Sequence, residues 1–265
     1  MLEFLDGATR LHLIIGDPVA QTKSPAGLTR EFQARKVNAI CVPLHVAPAD
    51  FDAVMAAAKK VGNIDGIVIT MPHKFAALGH CDETTERARI LGAVNLLRPD
   101  KSGRWTGDMT DGTAMVAALR RAGCEPRGKR ALVVGAGGAG SAVALALIEA
   151  GASSLVVADV DASRRDDLVQ RLAPRGVAVA SAAIADAAGC QIIVNATPVG
   201  MKPADPLPVD IARIDANAVV GDLITKPVVT PLLEAARQRG CTVVTGEDMF
   251  AVQAGYMADI LLAPR

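Results

Sequence analysis

Lys129-Arg130-Ala131-Leu132-Val133-Val134-Gly135-Ala136-Gly137-Gly138-Ala139-Gly140 is the stretch on which the fold turns. A basic lead-in precedes an apolar run, and three glycines then stand in a G-x-G-x-x-G frame. Ser141-Ala142-Val143-Ala144-Leu145-Ala146-Leu147-Ile148 follows and reads as a helix closed by Gly151. Strand, glycine turn and helix in that order are the fingerprint of a dinucleotide-binding βαβ unit. In that reading Gly135 makes the tight turn, Gly137 lets backbone N–H groups approach a pyrophosphate, and Gly140 allows close helix–strand packing. Ala136, Gly138 and Ala139 complete the loop, and the helix N-terminus offers free N–H groups and a partial positive charge. A second strand, Leu155-Val156-Val157-Ala158, ends at Asp159. That acid lies about 20 residues past the last glycine, where a carboxylate accepts from the adenosine ribose hydroxyls. The competing reading is a structural αβ turn without a ligand.

Bulk properties agree with an α/β architecture. The chain has 265 residues, enough for one large domain or two modest ones. It is 51% apolar but only 3% aromatic, so its cores are expected to consist of Ala, Val, Leu and Ile, as in parallel sheets buried on both faces. Formal net charge is zero with no basic stripe, which argues against nucleic acid as a partner. The opening Met1-Leu2-Glu3-Phe4-Leu5-Asp6 carries acids where a secretory leader needs bases, and no apolar run is long enough to span a bilayer. Five cysteines (Cys41, Cys81, Cys124, Cys190, Cys241) are scattered singly. They read as reduced, mostly buried thiols of a cytoplasmic protein without membrane partners. His12, His45, His73 and His80 show no ligand spacing, so no metal is expected.

Around the fingerprint, β and α patterns alternate. Strands are expected at 11–15, 39–44 and 64–70, the last running into Met71-Pro72-His73-Lys74. Asp50 is read as the cap of a helix carrying Phe51, Val54, Met55 and Ala58, and Asp82 as the opening of a short helix through Ile90. Pro99-Asp100-Lys101-Ser102-Gly103 marks a hairpin turn. A helix from Gly112 to Arg121 links this part to the dinucleotide part. Later strands are expected at 191–194, 218–222 and 242–244, a helix at 230–239, and a final helix from about Met249 to Leu262. The domain reading is 1–107 for substrate and catalysis, 108–241 for the Rossmann-type cofactor domain, and 242–265 packing back on the first.

Lys74 follows a strand and a proline, so it is held on a defined turn. Asp111 opens a helix beside Thr110. A lysine with a carboxylate beside a nicotinamide is a device for alcohol oxidation: the lysine moves the hydroxyl proton while hydride moves to or from the cofactor. Spacing alone does not pair the two, and an aspartate there also serves as a helix cap.

Taken together, the motifs resemble those of the shikimate dehydrogenases, in that family's order and over essentially the whole chain. Gly16-Asp17-Pro18 through Thr22-Lys23-Ser24-Pro25 is similar to its substrate loop. Thr70-Met71-Pro72-His73-Lys74 is similar to its Thr-x-Pro-His-Lys segment, Gly92-Ala93-Val94-Asn95 to its Gly-Ala-x-Asn, and Thr110-Asp111-Gly112 to its Thr-Asp-Gly. Asn195-Ala196-Thr197-Pro198-Val199-Gly200-Met201 resembles a cofactor segment, and Asp248-Met249 with Gln253 its returning helix.

The resemblance implies reversible oxidation of a ring hydroxyl of shikimate, quinate or a related cyclic polyhydroxy acid. Lys74 is then the acid–base and Asp111 its partner. Thr22 and Ser24 would hold the substrate carboxylate, and Thr70, Asn95 and Gln253 its ring hydroxyls. Asn195, Ala196, Thr197, Pro198, Met201 and Leu223 would join the glycine loop at the cofactor. The bland reading of Thr22 and Ser24 is that they bond their own loop.

The sequence departs from the family pattern at several places. Val68 and Met109 stand where asparagines are usual, Thr225 replaces a tyrosine, and Leu28-Thr29 a His-Asn pair. Losing a donor matched to a substrate hydroxyl costs about 1–3 kcal/mol, so shikimate is expected to be a poor substrate or one of several. NADP-dependent members often place Asn-Arg-Thr after the second strand. Here Asp159-Val160-Asp161 would repel a 2′-phosphate, and NAD is expected over NADP, although Arg164 and Arg165 lie close by. A monomer or homodimer is expected. The alternatives are a non-catalytic NAD-binding sensor and an enzyme like the methylenetetrahydrofolate dehydrogenases.

Overall fold

The computed structural model describes residues 5–264. Met1–Phe4, part of the opening segment read above, lie outside the described residues. The chain forms two compact units, Met1–Thr110 with Gln253–Arg265, and Asp111–Val252.

The first unit contains β1 (Arg10–Gly16), α1 (Ser24–Ala34), β2 (Ala39–His45), α2 (Phe51–Ala58) and β3 (Ile64–Ile69). β4 (Glu83–Thr84), α3 (Glu86–Leu91), β5 (Leu96–Pro99) and β6 (Trp105–Asp108) follow. Its sheet has the order β2-β1-β3-β5-β6-β4. β1 to β3 are parallel, and the central strands β1 and β3 are largely buried. β5 and β6 form the expected antiparallel hairpin.

The second unit contains α4 (Asp111–Arg121), β7 (Arg130–Val134), α5 (Gly138–Glu149), β8 (Ser154–Ala158), α6 (Ala162–Leu172) and β9 (Ala178–Ala182). It continues with β10 (Ile192–Asn195), β11 (Val219–Asp222), α7 (Pro231–Gln238), β12 (Thr242–Val244) and the start of α8 (Gly246–Leu262). All its strands are parallel, in the order β12-β11-β10-β7-β8-β9. Counted from β7, this is the doubly wound Rossmann order, and the strand order reverses between β7 and β10. Its core is aliphatic: Leu132, Ile193, Val220, Leu232 and Leu233 pack together with almost no exposure.

Local expectations fail at three points, each for a physical reason. Asp82 does not open a helix. Its peptide N–H donates to Trp105 O and its carboxylate accepts from Trp105 N, both at 2.7 Å, so the segment is drawn beside β6 as β4. α3 begins four residues later, and Thr85 is its cap. Asp50 makes no capping bond, because the 3-10 turn Pro48–Asp50 already sets its backbone to φ −101° and ψ −5°, whereas a cap needs extended geometry. α8 starts at Gly246, earlier than expected. Thr245 N donates to Asp248 Oδ2 at 2.9 Å and Asp248 N to Thr245 Oγ1 at 3.1 Å, a reciprocal cap that fixes the first turn.

From Gln253 onward α8 is counted with the first unit. Three arginines reach it there: Arg35 to Asp259 at 2.7 Å, Arg98 to Ile260 O at 2.8 Å and Arg87 to the Tyr256 hydroxyl at 3.0 Å. Among the described residues no helix is long and apolar enough to cross a membrane, and no group of three His, Cys, Asp or Glu could hold a metal ion. All five cysteines are free, and burial pushes the Cys41 thiol up to about 12 and the Cys81 thiol to about 11.

Candidate active site

In the first sheet the chain leaves β1 to build β2 on one side and then β3 on the other. The crevice of such a sheet opens at the carboxyl ends of the two strands flanking the reversal. The loop after β1 carries Thr22 and Ser24, and the turn after β3 carries Thr70 and Lys74. Asp17 N donates to Met71 O at 3.0 Å, tying the two together. Gly16 is required at this junction: a Cβ would lie 2.2 Å from Thr70 Cγ2 and 3.1 Å from Met71 O. The Thr22 hydroxyl donates to Val19 O at 2.8 Å, so its proton stays within its own loop and its lone pairs are left for a donor. Ser24 is buried as the first residue of α1.

Lys74 is held from both sides of its backbone. Its carbonyl accepts from Val94 N at 2.9 Å. The preceding His73 is buried, with Nε2 2.7 Å from Val46 O and its ring stacked on Phe51 at 4.4 Å and 9°. A carbonyl can only accept, so Nε2 carries the proton. Asn95, also buried, accepts from Thr110 N at 2.9 Å and donates to Thr110 Oγ1 at 2.9 Å. Gln253 is buried on α8, and Val68 and Met109 are buried apolar side chains of the same unit.

A cluster that sequence spacing did not reveal lies next to Thr110. Asp108 Oδ1 accepts from Thr85 Oγ1 at 2.7 Å, Arg87 Nε at 2.6 Å and Met109 N at 2.7 Å, and Oδ2 from Arg87 Nη2 at 2.5 Å. Burial pushes this carboxyl up, but the Arg87 and Thr85 bonds outweigh it and hold it below the usual range. Arg87 continues to the Tyr256 hydroxyl, three residues past Gln253 on α8. No sequence motif signals an ion pair across 21 residues of chain.

The cofactor candidates all belong to the second unit. Gly135 has φ +102°, which favours glycine, and a Cβ on Gly140 would stand 1.9 Å from Gly135 O. A Cβ on Gly137 would meet nothing within 4 Å, so the loop is open where a pyrophosphate would approach. α5 begins at Gly138, and its first helical bond is Ser141 N to Gly137 O, which leaves the N–H groups of Gly138, Ala139 and Gly140 outside the helix ladder. These residues fit a dinucleotide.

Asp159 Oδ2 accepts from Ala136 N at 2.6 Å and Oδ1 from Asp161 N at 2.8 Å, so the ribose candidate also clamps the glycine loop. Arg164 is engaged by Asp161 at 3.1 Å and Arg165 by Asp166 at 2.8 Å. Asn195 ends β10 beside the strand reversal. Its amide donates to Val199 O at 3.1 Å and accepts from Thr197 N and Oγ1 at 3.1 and 2.7 Å, which shapes the Asn195–Met201 loop. Ala196, Thr197, Pro198 and Met201 lie on that loop, and Leu223 N donates to Asn195 O at 3.0 Å. Asp111, buried, is the first residue of α4. Lys74 therefore falls in the first unit and Asp111 opens the second.

The chain is similar to known proteins over most of its length. The family described as "Shikimate dehydrogenase substrate binding domain" matches residues 14–97. A "Shikimate dehydrogenase (NADP(+))" of Rubrobacter xylanophilus is 40% identical over 254 residues, which cover 94% of this chain and 89% of the relative. Among solved structures, a quinate dehydrogenase of Corynebacterium glutamicum in complex with NAD is 33% identical, with TM-score 0.85 over 96% of this chain and 94% of that one. A 5-ketofructose reductase of Gluconobacter sp. strain CHM43 is 28% identical, with TM-score 0.85 over 96% and 93%. The motifs quoted above, the Rossmann order of the second sheet and these relatives lead to one conclusion: the chain belongs to the shikimate dehydrogenase family and is a nicotinamide-dinucleotide-dependent oxidoreductase acting on CH–OH groups.

Proposed function

We propose that the protein reversibly oxidises a ring hydroxyl of shikimate, quinate or a related cyclic polyhydroxy acid, with NAD in preference to NADP. The observation that carries this reading is the gathering of Lys74, Thr70 and the Thr22–Ser24 loop at one sheet edge, in a chain whose other sheet fits a dinucleotide. When bound, the dinucleotide supplies the hydride acceptor. Lys74 takes the hydroxyl proton in the oxidising direction and returns it to the developing alkoxide in the reverse. Asp111 is the carboxylate that the family resemblance assigns to the lysine as its partner. Ser24 binds the substrate carboxylate, joined by Thr22 once its hydroxyl proton turns from Val19 O, and Thr70, Asn95 and Gln253 bind its ring hydroxyls. Buried Val68 and Met109 offer no hydrogen bond to a polyol, which favours substrates other than shikimate itself, and a relative named for 5-ketofructose accords with a wider range.

For the cofactor, Asp159 and Asp161 disfavour a 2′-phosphate, and Arg164 and Arg165 are already engaged by carboxylates. The NAD complex of the quinate dehydrogenase supports this choice, while the curated relatives carry NADP(+) in their names. A spectrophotometric panel of shikimate and quinate, each with NAD and NADP, tests the reading. Turnover with NAD is expected, and Lys74→Met should lower kcat by about 10²–10⁴-fold with NADH affinity unchanged. NADP preference would overturn the cofactor choice alone. Binding of NADH without turnover on any cyclic hydroxy acid would leave a sensor.

A further inference from the structure

Asp222, the last residue of β11, is completely buried. Its partners are all donors. Oδ1 accepts from Ile224 N at 3.0 Å, and Oδ2 from Thr230 Oγ1 at 2.8 Å and from Asn195 Nδ2 at 3.2 Å. Thr230 Oγ1 itself accepts from Leu233 N at 3.3 Å, so its own proton is free for Asp222. Among the described residues no lysine or arginine pairs with this carboxylate. Burial pushes it above its ordinary range, and the three donors offset that only in part. An acceptor-only group is nevertheless what three converging donors require.

The bond to Asn195 continues outward. The same Asn195 Nδ2 donates to Val199 O at 3.1 Å, while Oδ1 takes Thr197 N and Oγ1, and Val199 N donates to Thr197 Oγ1 at 3.1 Å. Every hydrogen-bonding position of the Asn195 amide is thus engaged within the unit. Asp222 is the inner anchor of a relay that sets the backbone of residues 195–199, and through Ile224 N it fixes the turn after β11 as well. A second contact presses on that turn: a Cβ on Gly246 would lie 2.4 Å from Ile224 O.

These loops rise at the carboxyl ends of β10 and β11. The glycine loop and Asp159 lie on the other side of the strand reversal, at β7 and β8. In a doubly wound sheet one mononucleotide half lies on each side of the reversal. With Asp159 on the adenosine side, β10 and β11 face the nicotinamide half.

We propose that Asp222 is a positioning residue for the nicotinamide half of the cofactor site, acting through Asn195 and not by touching the cofactor. The inference rests on the dinucleotide reading above. Its test separates the two halves of the ligand. Asp222→Asn keeps the size and the Ile224 bond but turns an NH₂ group toward the Asn195 NH₂ group. Fluorescence titration should show NADH bound at least tenfold more weakly, while AMP, which reaches only the adenosine half, binds within twofold of the wild type by calorimetry. Asn195→Ser, too short to reach Asp222, should give the same split, and it carries the test if Asp222→Asn does not fold. Equal weakening of NADH and AMP would mean a merely structural role, and unchanged NADH affinity would remove the relay; either overturns the proposal. A wild type that binds neither ligand would instead overturn the dinucleotide reading itself.

Discussion

Replacing Arg87 with methionine would leave the Asp108 carboxylate buried without its guanidinium. The Asp108 side chain is 10% exposed and that of Arg87 24%, and the fork contributes two of the four bonds to the carboxylate. Removing one partner of such a pair costs about 3–5 kcal/mol. Thr85 Oγ1 and Met109 N still donate, and the arginine site is partly open to water, so the lower end, about 3 kcal/mol near pH 7.5, applies. The pH dependence has a definite sign. In the wild type the folded-state pKa of Asp108 is depressed. Its contribution is therefore complete above the unfolded value of about 3.9 and is lost as pH falls through the folded value. Without Arg87, burial dominates and raises the folded pKa above the unfolded one. The penalty then appears as pH rises and fades as pH falls, so the difference between variant and wild type should shrink by about 1 kcal/mol or more between pH 7.5 and pH 5. Urea unfolding followed by fluorescence reads this unit directly, because Trp105, the only tryptophan, is buried on β6 three residues before Asp108. A loss below about 1 kcal/mol at pH 7.5, or one independent of pH, would refute the reasoning.

Two further outcomes concern the cofactor loop. In Gly140→Ala the new Cβ, 1.9 Å from Gly135 O, must displace backbone by about 1 Å, and misplacement of that size costs on the order of 10²-fold. The rate of NADH formation should show that loss, and near-wild-type turnover would count against the glycine loop as the pyrophosphate site. Asp159→Asn turns an NH₂ group toward Ala136 N or Asp161 N, which both need an acceptor. Binding of NAD and NADP should therefore weaken together, by about tenfold, or about 1.4 kcal/mol. A clean switch to NADP in kinetic assays would show that Asp159 serves only the ribose.

Patterns that reside in consecutive residues were readable from the chain alone. The strand, glycine turn and helix at 130–149 signalled the Rossmann unit because turn chemistry and apolar period are local properties. The two-domain α/β class followed from alternation, and Lys74, Asn95, Asp111 and Asn195 could be named as candidates because each sits in a short motif. Where sequence failed locally, a distant partner won: Asp82 was captured by Trp105, and Asp50 by the turn that precedes it. Only the tertiary structure decided the order of the strands, and with it which loops share an edge. It alone showed that Asp108 is paired with Arg87, that Asp159 clamps Ala136, and that the Asn195 amide leads inward to Asp222. These bonds join residues more than 20 positions apart. Their energy depends on burial and on the geometry of donors and acceptors, neither of which the order of residues along the chain contains.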